Sequence, residues 1–129
     1  MHRHGYKGRK FGRETGERKA LKRGLMCALI EHQSIETTLA RAKETRRDLE
    51  KLITIAKKGG LANRRLLIAR LDSIEMAALL MDEIAPQIKR DSGYLRIERT
   101  GTRRGDNAEM ATISFVDEIK EKTPKKEDK

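Results

Sequence analysis

Positive charge is concentrated in the first 23 residues of the chain, where its chemistry would be the binding of a polyanion. This segment holds nine Lys or Arg residues against two acids and so carries +7 of the chain's net charge of +10. Lysine and arginine neutralise phosphates, and one guanidinium can hold a phosphate through two parallel hydrogen bonds. The asymmetry therefore favours a nucleic-acid partner. A solvated basic tail with no fixed partner is the alternative.

The first 14 residues, hereafter the arm, contain glycine and cations but no helical or strand periodicity. Their apolar surface is too small to offset the entropy of folding, so we expect the arm to be disordered in the free protein. Tyr6 and Phe11 could stack on exposed bases or pack against the domain instead. His2 and His4 have metal-like spacing, but without further ligands they are interpreted as hydrogen-bond donors beside phosphates.

The predicted RNA-binding residues come from three places. The arm contributes two histidines, one tyrosine and five cations, the first helix contributes three cations, and a charged hairpin loop contributes three more. They are His2, Arg3, His4, Tyr6, Lys7, Arg9, Lys10, Arg13, Arg18, Lys22, Arg23, Arg99, Arg103 and Arg104. For the loop, an ordinary solvated turn is the alternative. The pairs Arg46-Arg47 and Arg64-Arg65 are interpreted as solvated helix faces.

The sequence contains few features that would indicate enzymatic activity, cofactor binding or membrane binding. Cys27 lies beside an apolar helix stripe and is expected to be packed rather than reactive. No phosphate loop, metal-ligand set or nucleophile motif is present. The chain has no apolar run long enough to cross a membrane, and one cysteine fits a reducing cytoplasm. We therefore expect a protein that is not an enzyme, uses no cofactor or metal, and binds neither a membrane nor a small-molecule substrate.

Hydrophobic periodicity predicts an α+β fold, with about four helices packed on a small three-stranded mixed sheet. We expect the arm at 1–14, a globular domain at 15–118 and a disordered charged tail at 119–129. The helices are expected at about 15–32, 38–58, 62–71 and 73–86, with Thr15, Thr38 and Asp72 as N-caps. The strands are expected at 34–38, 94–99 and 111–116, with a loop at 100–109.

The core-facing residues follow from the apolar stripes of these helices. The expected stripes are Leu21, Leu25, Ala28 and Leu29 in the first helix; Leu39, Ala42, Leu49, Leu52, Ile53 and Ala56 in the second; Leu67, Ile68 and Leu71 in the third; and Ile74, Ala77, Ala78, Met81 and Ile84 or Ala85 in the fourth.

Several segments in order resemble the bacterial large-subunit ribosomal protein L-seventeen family, across roughly residues 2 to 117. They are HRHGYKGRKFGR, ERKALKRGL, IETTLARAKETRR with LITIAK, LANRRLLIARL and the closing GYLRIERTGTRRGDNAEMATISFVD. The arm positions that match are Arg3, His4, Lys7, Arg9, Lys10 and Arg13. The chain departs from the family in residues 119–129 and in the acids Glu14 and Glu17 next to the arm.

The resemblance implies a structural constituent of the large ribosomal subunit in the cytoplasm, present as one copy per particle and not as a homo-oligomer. It implies binding to large-subunit rRNA near the exit of the nascent-peptide tunnel, with the arm penetrating the RNA. It also implies contact with the neighbouring protein L-thirty-two. Two rival functions remain. A DNA-binding or nucleoid protein would prefer duplex DNA, and a nuclease or RNA-modifying enzyme would turn over RNA.

Overall fold

Helices and a small sheet alternate along the computed structural model, which describes residues 4–120. The predicted α+β fold is confirmed, with four helices and three strands in this range. The elements in chain order are α1 (Thr15–His32), β1 (Ser34–Thr38), α2 (Leu39–Lys58), α3 (Leu61–Leu71), α4 (Ile74–Ala78) with a π-helical continuation (Leu79–Ile84) and a 3₁₀ turn (Ala85–Gln87), β2 (Leu95–Thr102) and β3 (Glu109–Phe115).

Helix α2 is the central element of the core. Five of its six predicted inward residues are buried and Leu39 is half-buried, which confirms the stripe expected from helical spacing. Helix α2 contacts α1, α3 and all three strands. Thr38 occupies the N-cap position as predicted, without a side-chain capping bond, and Gly59 ends the helix. One face of α2 is therefore committed to the core, and the opposite face is left to solvent.

The sheet has the order β1-β3-β2, and both of its pairings are antiparallel. The prediction of three strands is confirmed, but the prediction of a mixed sheet is wrong. Strands β2 and β3 form a hairpin, which makes them antiparallel. Strand β1 adds to the far side of β3, also antiparallel to it, so the two strands that run in the same direction are never neighbours.

The hairpin is longer than predicted, and its loop is shorter. Strand β2 continues to Thr102 because a bulge between Arg99 and Gly101 lets the pairing resume beyond it. Gly101 has a φ of +117°, a conformation that favours glycine. The connection is thus reduced to residues 103–108, where the Arg103 amide donates to the Ala108 carbonyl at 2.8 Å.

The N-cap of helix α1 lies one residue before the predicted cap, and the helix turns a different face inward. Glu14 is its N-cap, and Thr15 is its first residue. Its buried side chains are Met26, Leu29 and Ile30, whereas the other residues of the predicted stripe, Leu21, Leu25 and Ala28, are half-buried. The apolar residues of this helix span more than one stripe at helical spacing. Contacts with α2, α3 and β1 decide which stripe is buried.

In the turn between α3 and α4, the N-cap residue of α4 is not the predicted Asp72. Asp72 is a left-handed residue that ends α3, and Ser73 is the N-cap of α4, accepting a hydrogen bond from the Met76 amide. Ile74, the first residue of α4, was predicted to face the core but is 71% exposed.

The later part of the fourth helix widens into a π-helical segment. The Ala85 amide donates to the Leu80 carbonyl five residues earlier. The wider turn brings both Ile84 and Ala85 into the core, where the sequence left a choice between them. Pro86 lies in the terminal 3₁₀ turn, as expected for a residue that cannot continue a helix.

The C-terminal segment that the structure describes lies against the domain. Ile119 packs on the core, and the Lys120 amide donates to Gln87 Oε1 at 2.9 Å. The rest of the predicted tail, 121–129, lies outside the described residues. Within residues 4–120, no helix is both long and apolar enough to cross a bilayer.

Candidate nucleic-acid interface

The arm, from His4 to Glu14, follows an irregular path across the side of the domain and comes close to α2 at Gly8. A Cβ atom at Gly8 would lie 3.2 Å from Glu44 Oε2, and Gly8 has a φ of +107°. Both facts favour glycine at this position. His2 and Arg3, which were predicted to bind RNA, lie outside the described residues. The disorder predicted for the free arm remains a prediction.

The single tyrosine of the arm lies among cations. The Lys10 ammonium is 4.7 Å and the Arg18 guanidinium 5.8 Å from the centre of the Tyr6 ring, which is 45% exposed. Arg18 also donates to the Arg13 carbonyl at 3.2 Å and so connects α1 to the arm. Phe11 is half-buried. Tyr6 therefore has an exposed ring, whereas Phe11 is closer to the packed alternative.

The arm cations that the structure describes have no ion pair, whereas two cations of α1, Lys22 and Arg23, do. Lys7, Arg9, Lys10 and Arg13 are exposed, and no ion pair within 4 Å involves any of them among residues 4–120. Their positive charge is consequently available to an external anion.

Two of the three predicted α1 cations form ion pairs with acids of other helices. Lys22 Nζ lies 2.9 Å from Asp48 Oδ2 and 3.7 Å from Glu44 Oε2, both on α2. Arg23 Nη1 lies 3.4 Å from Asp72 Oδ2 at the end of α3. These pairs connect helices, so the charges of Lys22 and Arg23 are partly committed within the chain.

The hairpin loop contains one ion pair, between Arg103 and Asp106, and one cation without an ion pair, Arg104. Arg103 holds Asp106 through Nε to Oδ1 at 3.1 Å and Nη2 to Oδ2 at 2.5 Å. These bonds and the Ala108 amide lower the pKa of the Asp106 carboxyl to about 2, and the same carboxylate raises the pKa of Arg103. Arg104 is exposed and has no ion pair within residues 4–120. It is therefore the loop cation most available to a partner.

Arg99 lies apart from the loop tip, in a groove between α2 and β2, hereafter the α2–β2 groove. The groove has a volume of about 810 Å³. Its charged lining consists of five cations and one acid, which are Lys43, Arg46, Arg47, Lys51, Arg99 and Glu50. Glu50 is engaged with the sheet, accepting from the Leu95 amide at 3.4 Å.

The basic groove is not among the sites predicted from the sequence, because Arg46 and Arg47 are interpreted there as a solvated helix face. A signal was present in the spacing. Positions 43, 46, 47 and 51 recur at i, i+3, i+4 and i+8, which places all four cations on one face of a helix. The fifth cation, Arg99, joins them only through the pairing of β2 in the folded sheet.

Groups that could support catalysis are not assembled. The described residues, 4–120, contain no cluster of three or more His, Cys, Asp or Glu side chains able to hold a metal. Burial raises the pKa of the Cys27 thiol, whose Sγ lies 3.7 Å from the Leu71 carbonyl oxygen. This environment disfavours the reactive thiolate.

Comparison with known proteins identifies similar chains over most of the length. A family model described as Ribosomal protein L17 matches residues 21–116, a range that begins after the arm. The chain is 50% identical over 116 residues to "Large ribosomal subunit protein bL17" of Erythrobacter litoralis, covering 89% of this chain and 83% of the relative.

Two further relatives carry the same name. The protein from Bdellovibrio bacteriovorus is 52% identical over 108 residues, which cover 83% of this chain but only 60% of that longer relative. The protein from Mesorhizobium japonicum is 47% identical over 116 residues, covering 89% of this chain and 81% of the relative.

Proposed function

The chain belongs to the ribosomal protein L17 family, and from this we propose that it is a structural constituent of the large ribosomal subunit that binds large-subunit rRNA through its arm. The relatives are named as ribosomal proteins, and we assign the chain no enzymatic activity. In this role the α+β domain supports local RNA structure, while the arm neutralises phosphates that folding brings close together.

The proposal depends on one observation. At the N-terminal end of the described chain, the arm cations have no acidic partner, whereas two α1 cations do. The four arm cations that the structure describes, Lys7, Arg9, Lys10 and Arg13, have no acidic partner within residues 4–120. Lys22 and Arg23, in contrast, are held by acids of the body. A cation that already has a carboxylate partner gains less from a phosphate, because the first pair must be broken. The arm is therefore the principal contact, with Arg18 and Arg104 extending it.

Binding by the arm has a thermodynamic signature. Each phosphate that is neutralised releases counterions, which makes affinity fall with salt at about 0.7 to 0.9 logarithmic units per contact. If six to eight cations reach phosphates, the slope of log K against log salt is about −4 to −7. Tyr6 would add stacking on an unpaired base, a contribution of about 1–3 kcal/mol that depends little on sequence.

The resemblance adds finer expectations that we include in the proposal. The body would lie near the exit of the nascent-peptide tunnel, beside the neighbouring protein L-thirty-two, as one copy per cytoplasmic particle. These expectations are supported by family membership alone. A crosslinking map of intact large subunits would test the position and the neighbour together.

The proposal is tested by titrating the full chain against a bacterial large-subunit rRNA transcript at several salt concentrations. Two variants of equal charge change are compared. The arm variant is Lys7→Gln, Arg9→Gln, Lys10→Gln, and the control variant, which removes three exposed cations of the body, is Lys58→Gln, Arg65→Gln, Lys89→Gln.

The arm variant should reduce the magnitude of the salt slope by about 2–3, whereas the control variant should change it by less than one. Equal slopes for the two variants would show that the arm contributes only net charge, and the proposed mechanism would be rejected. A competition with duplex DNA of matched length separates rRNA binding from a nucleoid role, since the proposal requires preference for the rRNA.

A further inference from the structure

We propose that the α2–β2 groove is a second RNA site, one that holds a strand of the phosphate backbone against the body of the protein. This inference rests on the proposed function, because it takes rRNA as the partner. It concerns a different surface from the arm, built from two elements that are distant in sequence. The groove cations are Lys43, Arg46, Arg47 and Lys51 of α2 and Arg99 of β2.

All five groove cations lack an ion-pair partner in the described part of the chain. Each is exposed, and none forms an ion pair within 4 Å among residues 4–120. Elsewhere in the body, Arg64, Arg90 and Arg96 each lie within 4 Å of an acid. Other exposed cations of the body, such as Lys58, Arg65 and Lys89, also have no ion pair among these residues, so what distinguishes the groove is that it brings five unpaired cations together with one acid. Like charges accumulate on both walls, an arrangement that an anion would stabilise.

The acid of the groove and its buried tyrosine already have hydrogen-bond partners within the chain. Glu50, its one acid, accepts a hydrogen bond from the Leu95 amide. The buried Tyr94 donates from its hydroxyl to the Asp91 carbonyl at 2.7 Å and lies 3.1 Å from Thr54 Oγ1. These groups are already satisfied within the chain. The contacts left for a ligand come mainly from ammonium and guanidinium groups, which suit phosphates rather than base edges.

The four groove cations of α2 form a row along the helix. Eight residues of helix separate Lys43 from Lys51, a distance of about 12 Å at the helical rise. Each nucleotide of a strand carries one phosphate charge, so a row of this length can meet several consecutive phosphates. Arg99 lies on the opposite wall and can approach the same strand. Such a site would be insensitive to sequence and sensitive to salt.

The test uses the full chain and the same rRNA transcript. The groove variant is Lys43→Gln, Arg46→Gln, Arg47→Gln, and its matched control is the three-cation control variant defined above. A conservative variant keeps every charge in the groove by means of Lys43→Arg, Arg46→Lys, Arg47→Lys. Thermal melting followed by circular dichroism verifies that each variant is folded before binding is measured.

The groove variant should reduce the magnitude of the salt slope by about 2–3. Raising salt from 50 to 200 mM should therefore weaken its binding about 15- to 65-fold less than that of the parent. The conservative variant should restore the parent's slope. Hydroxyl-radical footprinting should show that the groove variant exposes one stretch of backbone and the arm variant a different one.

The inference is overturned if the groove variant matches the control variant in slope and footprint. Should the arm variant lose affinity in that same experiment, the proposed function would stand and only the groove assignment would fall. If neither variant differs from the control, both proposals fail. A groove that binds an acidic protein neighbour instead of RNA would also give the control's values here, which again contradicts the inference.

Discussion

Replacing Lys22 with methionine should destabilise the fold while leaving RNA binding almost intact. Lys22 projects from α1 between two acids of α2, with Nζ 2.9 Å from Asp48 Oδ2 and 3.7 Å from Glu44 Oε2. The side chains of Lys22 and Glu44 are only 22% and 11% exposed. Methionine keeps most of the aliphatic length but removes the charge, and it leaves two carboxylates one helical turn apart without a cation.

The expected cost lies between two known limits. Exposed ion pairs contribute about 0–1 kcal/mol, whereas removing one partner of a buried pair costs about 3–5 kcal/mol. Asp48 is 30% exposed and Glu44 nearly buried, so this cluster is intermediate. We expect a loss of about 1–3 kcal/mol in the free energy of unfolding. For a domain of this size, that loss lowers the melting temperature by about 5–15 °C.

The assay compares Lys22→Met with Lys19→Met, since Lys19 is an exposed cation of the same helix with no ion pair in the described part of the chain. Urea unfolding should show the loss for Lys22→Met and a change within about 0.5 kcal/mol for Lys19→Met. The salt slope on rRNA should change by less than one for both. Equal stabilities, or a slope reduced by a full unit only in Lys22→Met, would refute the structural role of this cation.

Three further predictions concern the hairpin loop, the core and the cysteine. The Asp106 carboxyl should titrate near pH 2 by ¹³C NMR, so its pair with Arg103 is complete above about pH 4 and is lost as pH falls toward 2. Arg103→Gln should return the pKa of Asp106 toward the ordinary range, and a midpoint near about pH 4 in the parent would contradict the pair. Ile53→Ala should lower the free energy of unfolding by about 2–5 kcal/mol because Ile53 is fully buried. Leu61→Ala, at a 63% exposed site, should change it by about 0.5 kcal/mol or less, and similar losses for the two variants would place the core elsewhere. Cys27 should react with iodoacetamide at pH 8 far more slowly in the native chain than in urea, since burial raises its pKa, and equal rates would show an open thiol.

Local periodicity was sufficient to predict much of the fold. In α2 the apolar residues recur at one helical spacing over five turns, so the buried face is unambiguous. In α1 several stripes satisfy the same spacing, and of the predicted stripe only Leu29 is fully buried, whereas its other three residues are half-buried. The choice depends on tertiary contacts, which periodicity does not contain. The π-helical widening after α4 likewise depends on packing around Ile84 and Ala85.

The candidate interface was predictable only where it is continuous in sequence. The arm is one such stretch, and its charge is visible by counting. Which cations are neutralised is a different question, because Lys22 finds its acids on another helix and Arg103 finds Asp106 through the turn that the hairpin forms. The α2–β2 groove requires Arg99 to lie beside α2, and this follows only from the order and register of the sheet.

Incorporation of a chain that lacks residues 2–13 into large ribosomal subunits tests the central claim most directly. The truncated chain retains every helix and strand, so it should remain folded by circular dichroism. If the open cations of the arm hold the protein on rRNA, it should be missing from purified large subunits that contain the full-length chain. Sedimentation with the subunit at the full-length stoichiometry would contradict the claim.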